Sequence, residues 1–327
     1  MKAVQLKEFG GPEQLFIGDW ETPTPKANEI LVKVHASALN RADTLQRMGR
    51  YPAPKGDSPI LGLEMAGEVA AVGSEVSLWK VGDKVCSLLG GGGYAEFAVT
   101  HEAMALPIPS GWTFAEAAAI PEVFLTAFQA LVWLGKLQEG ERILIHAGAS
   151  GVGTAAIQLA KLIGASSIVT ASAGKHALCL DLGAEHAIDY KSEDFAEAIN
   201  DHTKGQGVNM VLDFLAAPYF QRNLNSLSVD GRLVILALMG GIKTEEVNMA
   251  PILRKRLQII GSTLRSRTLD YKIALTKALK ERTWDAFEQG QLKPVVDSVF
   301  SWEKVADAHR YMEANKNKGK IILDLGQ

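Results

Sequence analysis

A glycine-rich turn between an apolar run and a helical pattern is the most informative chemical feature of the sequence. Arg142–Ile145 is largely apolar, the turn follows over Gly148–Gly153, and residues 154–163 have helical periodicity. Glycines let a backbone approach a pyrophosphate, and a helix N-terminus offers free N–H groups, so this arrangement is typical of dinucleotide binding. The residues expected to face the pyrophosphate are Ser150, Gly151, Val152 and Gly153.

The strict motif has glycine where Ser150 stands, so the prediction depends on the strand before the turn and the helix after it. The alternative is an ordinary strand-to-helix turn that binds nothing. A second apolar run, Ser167–Ala171, completes a β-α-β unit, which favours the dinucleotide interpretation.

The end of that second strand indicates which dinucleotide is bound. NAD-binding proteins usually place Asp or Glu there, where it bonds the ribose 2′-hydroxyl. Here residues 172–175 contain no acid, and Ser172 and Lys175 are able to hold a 2′-phosphate instead. The sequence therefore predicts NADPH rather than NADH. Lys175 as a solvated lysine at a helix start remains the alternative.

Composition limits the class of protein. The 327 residues suggest two domains, and the 47% hydrophobic and 22% charged residues are typical of a globular protein. The net charge of −3 argues against a general nucleic-acid surface. The sequence contains no run of about 18 uninterrupted apolar residues, so it predicts no membrane span. The N-terminal residues show no signal-peptide pattern. The two cysteines, Cys86 and Cys179, are too few for a disulfide framework, which indicates a reducing compartment, so we expect a cytoplasmic protein.

The first 120 or so residues are β-rich, with strands expected at Glu29–Ala36, Met65–Gly73 and Tyr94–Val99. A helical pattern runs from Thr113 to Gly135. Strands and helices then alternate, which predicts an α/β fold with a doubly wound parallel sheet. The expected elements there are Ala187–Tyr190, a helix Ser192–His202 with an N-cap serine, Val208–Asp213 and Gly231–Leu236.

The C-terminal part returns to mixed character. It contains a long amphipathic helix over Leu269–Gln289, a strand over Val295–Phe300, a helix over Glu303–Asn315 and a last strand over Lys320–Asp324. We expect this tail to pack on the N-terminal domain, which makes the dinucleotide-binding unit an insertion.

The chain resembles the zinc-independent quinone oxidoreductases of the medium-chain dehydrogenase/reductase superfamily along its whole length. It is most similar to the p53-inducible, zeta-crystallin-like branch. The motifs that carry the resemblance are Ala38–Asp43, Tyr51-Pro52, Leu61–Gly67, Val81–Val85, Gly92–Glu96, Ala118–Pro121, Ile145–Leu159, Leu264–Arg267 and Ala308–Lys320.

The resemblance implies a GroES-like catalytic domain over 1–121 and 265–327. It also implies an inserted Rossmann domain over 122–264, with NADPH in the cleft between the domains. Zinc-containing relatives carry a cysteine where Asn40 stands and a histidine where Leu63 stands. Neither Asn nor Leu supplies the thiolate or imidazole that catalytic zinc uses, so we expect no metal.

The same resemblance places Asn40 and Tyr51 beside the nicotinamide and the substrate. Tyr51 as a loop tyrosine packed at the domain surface is the alternative. Asp43 is expected to fix the Asn40 loop, and His146 to be structural. The residues that the resemblance assigns to the cofactor, besides those of the glycine turn, are Thr126, Ser172, Lys175, Tyr190, Leu238, Met239, Leu264, Ser266 and Asn317.

Three functions stay open at this point. The first is NADPH-dependent reduction of quinones without a metal, since a quinone takes a hydride without a Lewis acid. The second is reduction of the activated double bond of an alkenal or enone. The third is a cofactor-binding protein with a structural or RNA-binding role. Apolar residues near the expected edge of the Rossmann sheet, in Gly231–Leu236 and Leu253–Leu264, predict a homodimer or homotetramer. The expected partner is a small-molecule substrate, with no membrane and no nucleic acid as the main partner.

Overall fold

The chain leaves its first structural unit in the middle of the sequence and returns to it near residue 265. The computed structural model describes residues 1–244 and 246–326. Unit 1 comprises Met1–Leu125 and Arg265–Gln327, and unit 2 comprises Thr126–Leu264. The first crossing falls slightly later than the sequence-based boundary at 121, because Phe124 is buried in unit 1, where its ring packs 4.8 Å from that of Phe287.

The described residues form strands β1 (Lys2–Leu6), β2 (Leu15–Asp19), β3 (Glu29–Ala38), β4 (Glu64–Val72), β5 (Lys84–Leu88), β6 (Phe97–His101), β7 (Ala105–Pro107), β8 (Arg142–Ile145), β9 (Ser166–Ala171), β10 (His186–Asp189), β11 (Val208–Asp213), β12 (Leu227–Ile235), β13 (Gln258–Gly261), β14 (Val296–Ser301) and β15 (Lys320–Asp324). The helices are α1 (Arg41–Arg47), α2 (Phe114–Ala118), α3 (Pro121–Phe128), α4 (Gly151–Ile163), α5 (His176–Asp181), α6 (Phe195–His202), α7 (Phe220–Ser226), α8 (Ala250–Arg254), α9 (Leu269–Glu288) and α10 (Val305–Glu313).

Unit 1 is built on a mixed, largely antiparallel sheet that joins both ends of the chain. Its order is β14-β15-β3-β4-β5-β7, with β6 also paired to β3. The central strand β3 alternates as its sequence suggests, with Ile30, Val32 and Val34 fully buried. The C-terminal strand β15 lies directly beside β3, so the tail completes the N-terminal unit as expected.

Unit 2 is a parallel six-stranded sheet in the order β10-β9-β8-β11-β12-β13. Chain order runs outward from β8 in both directions, which is the doubly wound arrangement. The expected α/β fold is therefore confirmed. In such a sheet, ligands bind outside the carboxyl ends of the strands where the winding reverses, and here that point is the end of β8.

Several of the expected elements begin elsewhere, including β12, which starts at Leu227 instead of Gly231. The strand expected from Tyr94 starts at Phe97 as β6. The N-cap of α6 is Asp194, not Ser192, because Asp194 has an extended backbone and its Oδ1 accepts hydrogen bonds from the Ala196 and Glu197 N–H groups at 2.7 and 3.3 Å. Since both Ser and Asp are good caps, the sequence pattern did not separate them.

One helical stretch, Phe114–Leu134, is long and apolar enough by composition to cross a membrane. Its apolar window is 72% buried inside the protein, as the core helix of a globular protein would be. Within it, α3 continues into a π-helical segment, Gln129–Leu134. Burial accounts for the apolar composition.

Strand β13 forms one edge of the unit 2 sheet, in the region where the sequence indicated an edge. Ile259 on this strand is 41% exposed, and Leu253 just before it is 83% exposed. Unpaired strand edges with apolar side chains favour association with another chain. The homodimer or homotetramer stays a prediction.

The corrected cap can be tested by substitution. Asp194→Ala is expected to lower the free energy of unfolding by about 1 kcal/mol, because two N–H groups of the first turn lose their acceptor. Ser192→Ala is the matched control and should leave stability unchanged. Asp194→Asn keeps the acceptor but removes the charge that pairs with Arg222 at 3.3 Å, so it should retain most of the stability. Urea unfolding measures all three, and a larger loss for Ser192→Ala would contradict the assignment.

Candidate active site

The glycine turn after β8 is shaped for close approach to its backbone. The Ser150 Oγ caps α4 by accepting the Gly153 N–H at 3.0 Å. A Cβ on Gly153 would lie 2.4 Å from the Ala147 carbonyl oxygen and 2.6 Å from that of Gly148, so only glycine fits there. Gly153 thus lets the turn pack closely on the first turn of α4, and the N-terminus of α4 provides backbone N–H groups of the kind that bind a pyrophosphate.

The ends of β9 and β10 bring three of the sequence-predicted residues into one neighbourhood. Ala171 and Asp189 are the last paired residues of these strands, so Ser172 and Tyr190 follow side by side at the carboxyl edge. Lys175 lies in the turn that Ser172 opens, where its N–H donates to the Ser172 carbonyl at 2.8 Å. Tyr190 is 46% exposed. A hydroxyl, an ammonium and a phenol at one strand edge, without an acid in residues 172–175, fit a 2′-phosphate.

His146 is structural, as the sequence analysis expected. The imidazole is fully buried, and its nitrogens lie 3.0 Å from Thr170 Oγ1 and 2.8 Å from Asn223 Oδ1. Burial lowers the pKa of His146, so the ring stays neutral. It joins the ends of β8 and β9 to α7 beneath the glycine turn.

The sequence analysis missed the continuation of this network through Asp213. Asn223 Nδ2 donates to Asp213 Oδ2 at 3.0 Å, and Asp213 Oδ1 accepts the Leu215 N–H at 2.7 Å. Asp213 is fully buried at the last position of β11. An acid at the end of an apolar strand was the available signal. The network holds the loop after β11 in register with the glycine turn.

Asn40 of unit 1 lies in a buried polar cluster with Glu64 and Lys320. Its Nδ2 donates to Glu64 Oε1 at 2.8 Å and to the Ala38 carbonyl at 3.3 Å, while its Oδ1 accepts from Lys320 Nζ at 2.6 Å. Both amide hydrogens are therefore engaged. Asn40 therefore has no amide hydrogen left to donate to a substrate oxygen.

Lys320 holds the cluster together. Its Nζ donates to the Leu39 carbonyl at 2.8 Å, Asn40 Oδ1 at 2.6 Å and Glu64 Oε1 at 2.7 Å, and both charged side chains are almost fully buried. The other oxygen of Glu64 accepts the Glu122 N–H at 2.8 Å. Both oxygens of Glu64 are thus committed to donors within the protein. Over residues 1–244 and 246–326, no group of three His, Cys, Asp or Glu side chains is arranged to hold a metal.

Asp43 clamps the loop of Asn40 to the loop before β4. Its Oδ2 accepts the Asn40 N–H at 2.8 Å and the Tyr94 hydroxyl at 3.2 Å, and its Oδ1 accepts the Gly62 N–H at 3.0 Å. The carboxyl is fully buried. Burial raises the pKa of Asp43 to about 6, against the opposing effect of these donors and of Lys320 and Arg265. The expected role in fixing the Asn40 loop agrees with these contacts.

Tyr51 lies in the same unit and is half-buried. The Arg265 guanidinium lies over its ring, 5.3 Å from the centroid. Burial raises the pKa of Tyr51, while Arg265 opposes that rise, so the hydroxyl stays protonated at neutral pH. The ring is packed on one face and the phenol is a weak acid.

The remaining sequence-predicted residues are divided between the units. In unit 2, Leu238 and Met239 are 55% and 52% exposed after β12, and Leu264 is buried at the end of the unit. Thr126 is partly buried in the second half of α3. In unit 1, Ser266 is exposed, and Asn317 Nδ2 donates to the Gly319 carbonyl at 2.7 Å.

Comparison with known proteins gives two family matches. The model described as the alcohol dehydrogenase GroES-like domain matches residues 26–110, and the one described as the zinc-binding dehydrogenase matches residues 151–280. The second match contains neither Asn40 nor Glu64. The first confirms the GroES-like character expected for the N-terminal unit.

Curated and solved proteins are similar over nearly the full length. The human quinone oxidoreductase is 33% identical over 331 residues, covering 99% of this chain and 97% of that protein. A structure described as an NAD-dependent alcohol dehydrogenase has a TM-score of 0.88 at 34% identity, covering 100% of both chains. The CurK enoyl reductase has a TM-score of 0.88 at 33% identity, covering 99% and 98%. A mycobacterial protein complexed with NADPH has a TM-score of 0.87 at 30% identity, covering 99% of both.

The raised pKa of Asp43 makes a prediction about stability. Between its ordinary pKa of 3.8 and about 6, the unfolded chain ionises Asp43 while the folded protein keeps it protonated. Folded protein therefore binds more protons, and this contribution to stability falls as pH rises. The difference between the two pKa values corresponds to about 3 kcal/mol.

The variant Asp43→Asn does not titrate and provides the reference. The unfolding free energy of the wild type minus that of Asp43→Asn should fall by about 3 kcal/mol between about pH 4 and pH 7 and then level off. Urea unfolding across this range measures it. A difference that rises with pH would show that the folded protein favours the ionised carboxylate instead.

Proposed function

Because the chain belongs to the quinone-oxidoreductase-like group of the medium-chain dehydrogenase/reductase superfamily, we propose that it reduces quinones with NADPH and without a metal. The observation that carries the proposal is the Asn40–Glu64–Lys320 cluster. Glu64 is neutralised by an ammonium of the protein itself, and Asn40 and Leu63 offer no thiolate or imidazole. Without a metal to polarise a carbonyl, an acceptor that takes a hydride readily is favoured.

Unit 2 supports NADPH as the donor. The first turn of α4, with Ser150, Gly151, Val152 and Gly153, would hold the pyrophosphate, and Ser172, Lys175 and Tyr190 would hold the 2′-phosphate. When bound, the cofactor supplies the hydride. The solved relative complexed with NADPH is consistent with this choice.

Reduction of an activated double bond is the second candidate, since the CurK enoyl reductase is similar over the whole chain. That reaction adds a proton as well as a hydride to carbon. Tyr51 is the candidate donor for that proton. A reduced quinone can take its proton from water after the transfer, so quinone reduction does not depend on a donor in the protein.

A role in binding RNA has less support. The longest run of basic residues is Arg254-Lys255-Arg256. Lys255 Nζ donates to the carbonyls of Asn225 and Leu227 at 2.8 and 2.6 Å, and Arg256 pairs with Asp230 at 2.6 Å. Two of the three cations are therefore engaged within the protein rather than available to phosphates.

The reaction is tested by an acceptor panel. With NADPH, we expect rapid turnover of a naphthoquinone and slow or no turnover of an alkenal, measured as loss of the reduced nicotinamide absorbance. Extensive dialysis against a chelator should leave the rate unchanged, and elemental analysis should find no stoichiometric zinc. Faster turnover of the alkenal would favour the second candidate, and activity that only zinc restores would refute metal independence.

The cofactor preference is tested at Lys175. Lys175→Ala should weaken NADPH binding by about 1.5–3 kcal/mol, or roughly 10- to 100-fold, because a charge-assisted phosphate contact is lost, and should barely change NADH binding. Arg254→Ala is the matched control, since it removes one exposed positive charge from the same unit. Fluorescence titration gives both affinities. Equal binding of the two cofactors by the wild type would overturn the assignment.

A further inference from the structure

Arg265 is the first residue of the chain after its return to unit 1, and its side chain is almost fully buried. Its guanidinium is engaged on all three nitrogens. Nε and Nη2 donate to the Gly90 carbonyl at 2.8 and 2.6 Å, Nη2 also donates to Gln46 Oε1 at 2.7 Å, and Nη1 donates to the Tyr51 carbonyl at 3.4 Å.

These contacts join Gln46 and Tyr51 to Gly90, which lies far from both in sequence. Gln46 lies on the last turn of α1, whose N-cap is Asn40. Gly90 opens the glycine tract, and a Cβ there would lie 2.0 Å from a carboxylate oxygen of Asp57, so the 51–58 loop packs directly on it. Arg265 thereby joins the loop of Tyr51 to the helix that carries Asn40.

The same guanidinium determines which face of the Tyr51 ring a ligand could contact. It lies over one face of the ring at 5.3 Å, and the backbone on the other side of the residue is restricted by Pro52. A flat ligand that stacks on this ring would therefore have to use the opposite face. A planar guanidinium makes this contact because it stacks on aromatic rings while donating in its own plane, which a lysine ammonium cannot do.

We propose that Arg265 is a positioning residue that fixes the Tyr51 ring, so that its second face receives a flat conjugated acceptor. This inference rests on the proposed quinone reduction and deepens it, because it names the contact that selects planar acceptors over open-chain ones. Arg265 acts through Tyr51, whose ring and backbone carbonyl it contacts.

The test is a double-substitution cycle on Arg265 and Tyr51. Arg265→Lys and Arg265→Gln should each raise the KM for a naphthoquinone about tenfold or more, the scale of a desolvated cation–π contact, with kcat within about threefold of the wild type. Tyr51→Ala should raise the same KM strongly, and Tyr51→Phe should keep it. In the Tyr51→Ala background, Arg265→Gln should add little, because its effect passes through the missing ring.

Arg232 provides the matched control. It is also a largely buried arginine, bound to the Gly135 carbonyl and to Glu141, but it lies in unit 2. Arg232→Lys should lower the thermal midpoint without changing the KM for the quinone. If Arg265→Lys changed stability only and left that KM unchanged, or if its effect persisted fully in the Tyr51→Ala background, the positioning role would be refuted.

A second readout needs neither cofactor nor acceptor. NMR of ring-labelled tyrosine, with the Tyr51 signal assigned from Tyr51→Phe, follows the phenol during a pH titration. Arg265→Gln should raise the pKa of Tyr51, because the positive charge beside the phenol is lost. It should also change the chemical shifts of the Tyr51 ring, whereas Arg232→Lys should do neither. If the wild type failed to reduce quinones, the proposed function would fail, while this titration would still decide whether Arg265 fixes the ring.

Discussion

The Lys320 ammonium, buried among the oxygens of Leu39, Asn40 and Glu64, is the interaction on which the organisation of unit 1 depends. A buried charge is tolerated only when it is paired and hydrogen-bonded. Here two oxygen partners come from the adjacent residues Leu39 and Asn40, and the third comes from Glu64 at the start of β4. Lys320 begins β15, which lies beside β3. The strand β15 is therefore held beside β3 by sheet pairing, and Lys320 also binds it to Asn40 and Glu64.

This cluster limits the chemistry of the site. A carboxylate bound to an ammonium and to a backbone N–H has little capacity left for a metal, and a carboxamide with both hydrogens engaged can only accept. The polar groups around Asn40 thus serve to hold geometry rather than to activate a substrate. Such a site suits a reaction in which the acceptor is already electrophilic and the protein supplies orientation.

In unit 2, a hydrogen-bonded network of His146, Asn223 and Asp213 connects the strand ends near the glycine turn. The Asp213 carboxyl also accepts the backbone N–H groups of Leu215 and Ala216. The turn itself needs glycine at position 153, because carbonyl oxygens fill the space that a side chain would take. A pyrophosphate that lies against a helix end needs a rigid support and backbone N–H groups that it can reach.

The sequence by itself determined the doubly wound sheet, the glycine turn and the lack of an acid at the end of β9, because periodicity, glycine spacing and strand-end chemistry are local properties. It also indicated that Asn40 and Tyr51 matter, through family resemblance. Only the tertiary structure decided that both amide hydrogens of Asn40 are engaged, that Asp194 rather than Ser192 caps α6, and that Arg265 lies over one face of Tyr51. Those outcomes depend on which of several chemically suitable partners comes within hydrogen-bonding distance. Lys320, which binds Asn40, and Arg265, which lies over Tyr51, are each more than 200 residues away in the chain, so no local sequence pattern predicts these contacts.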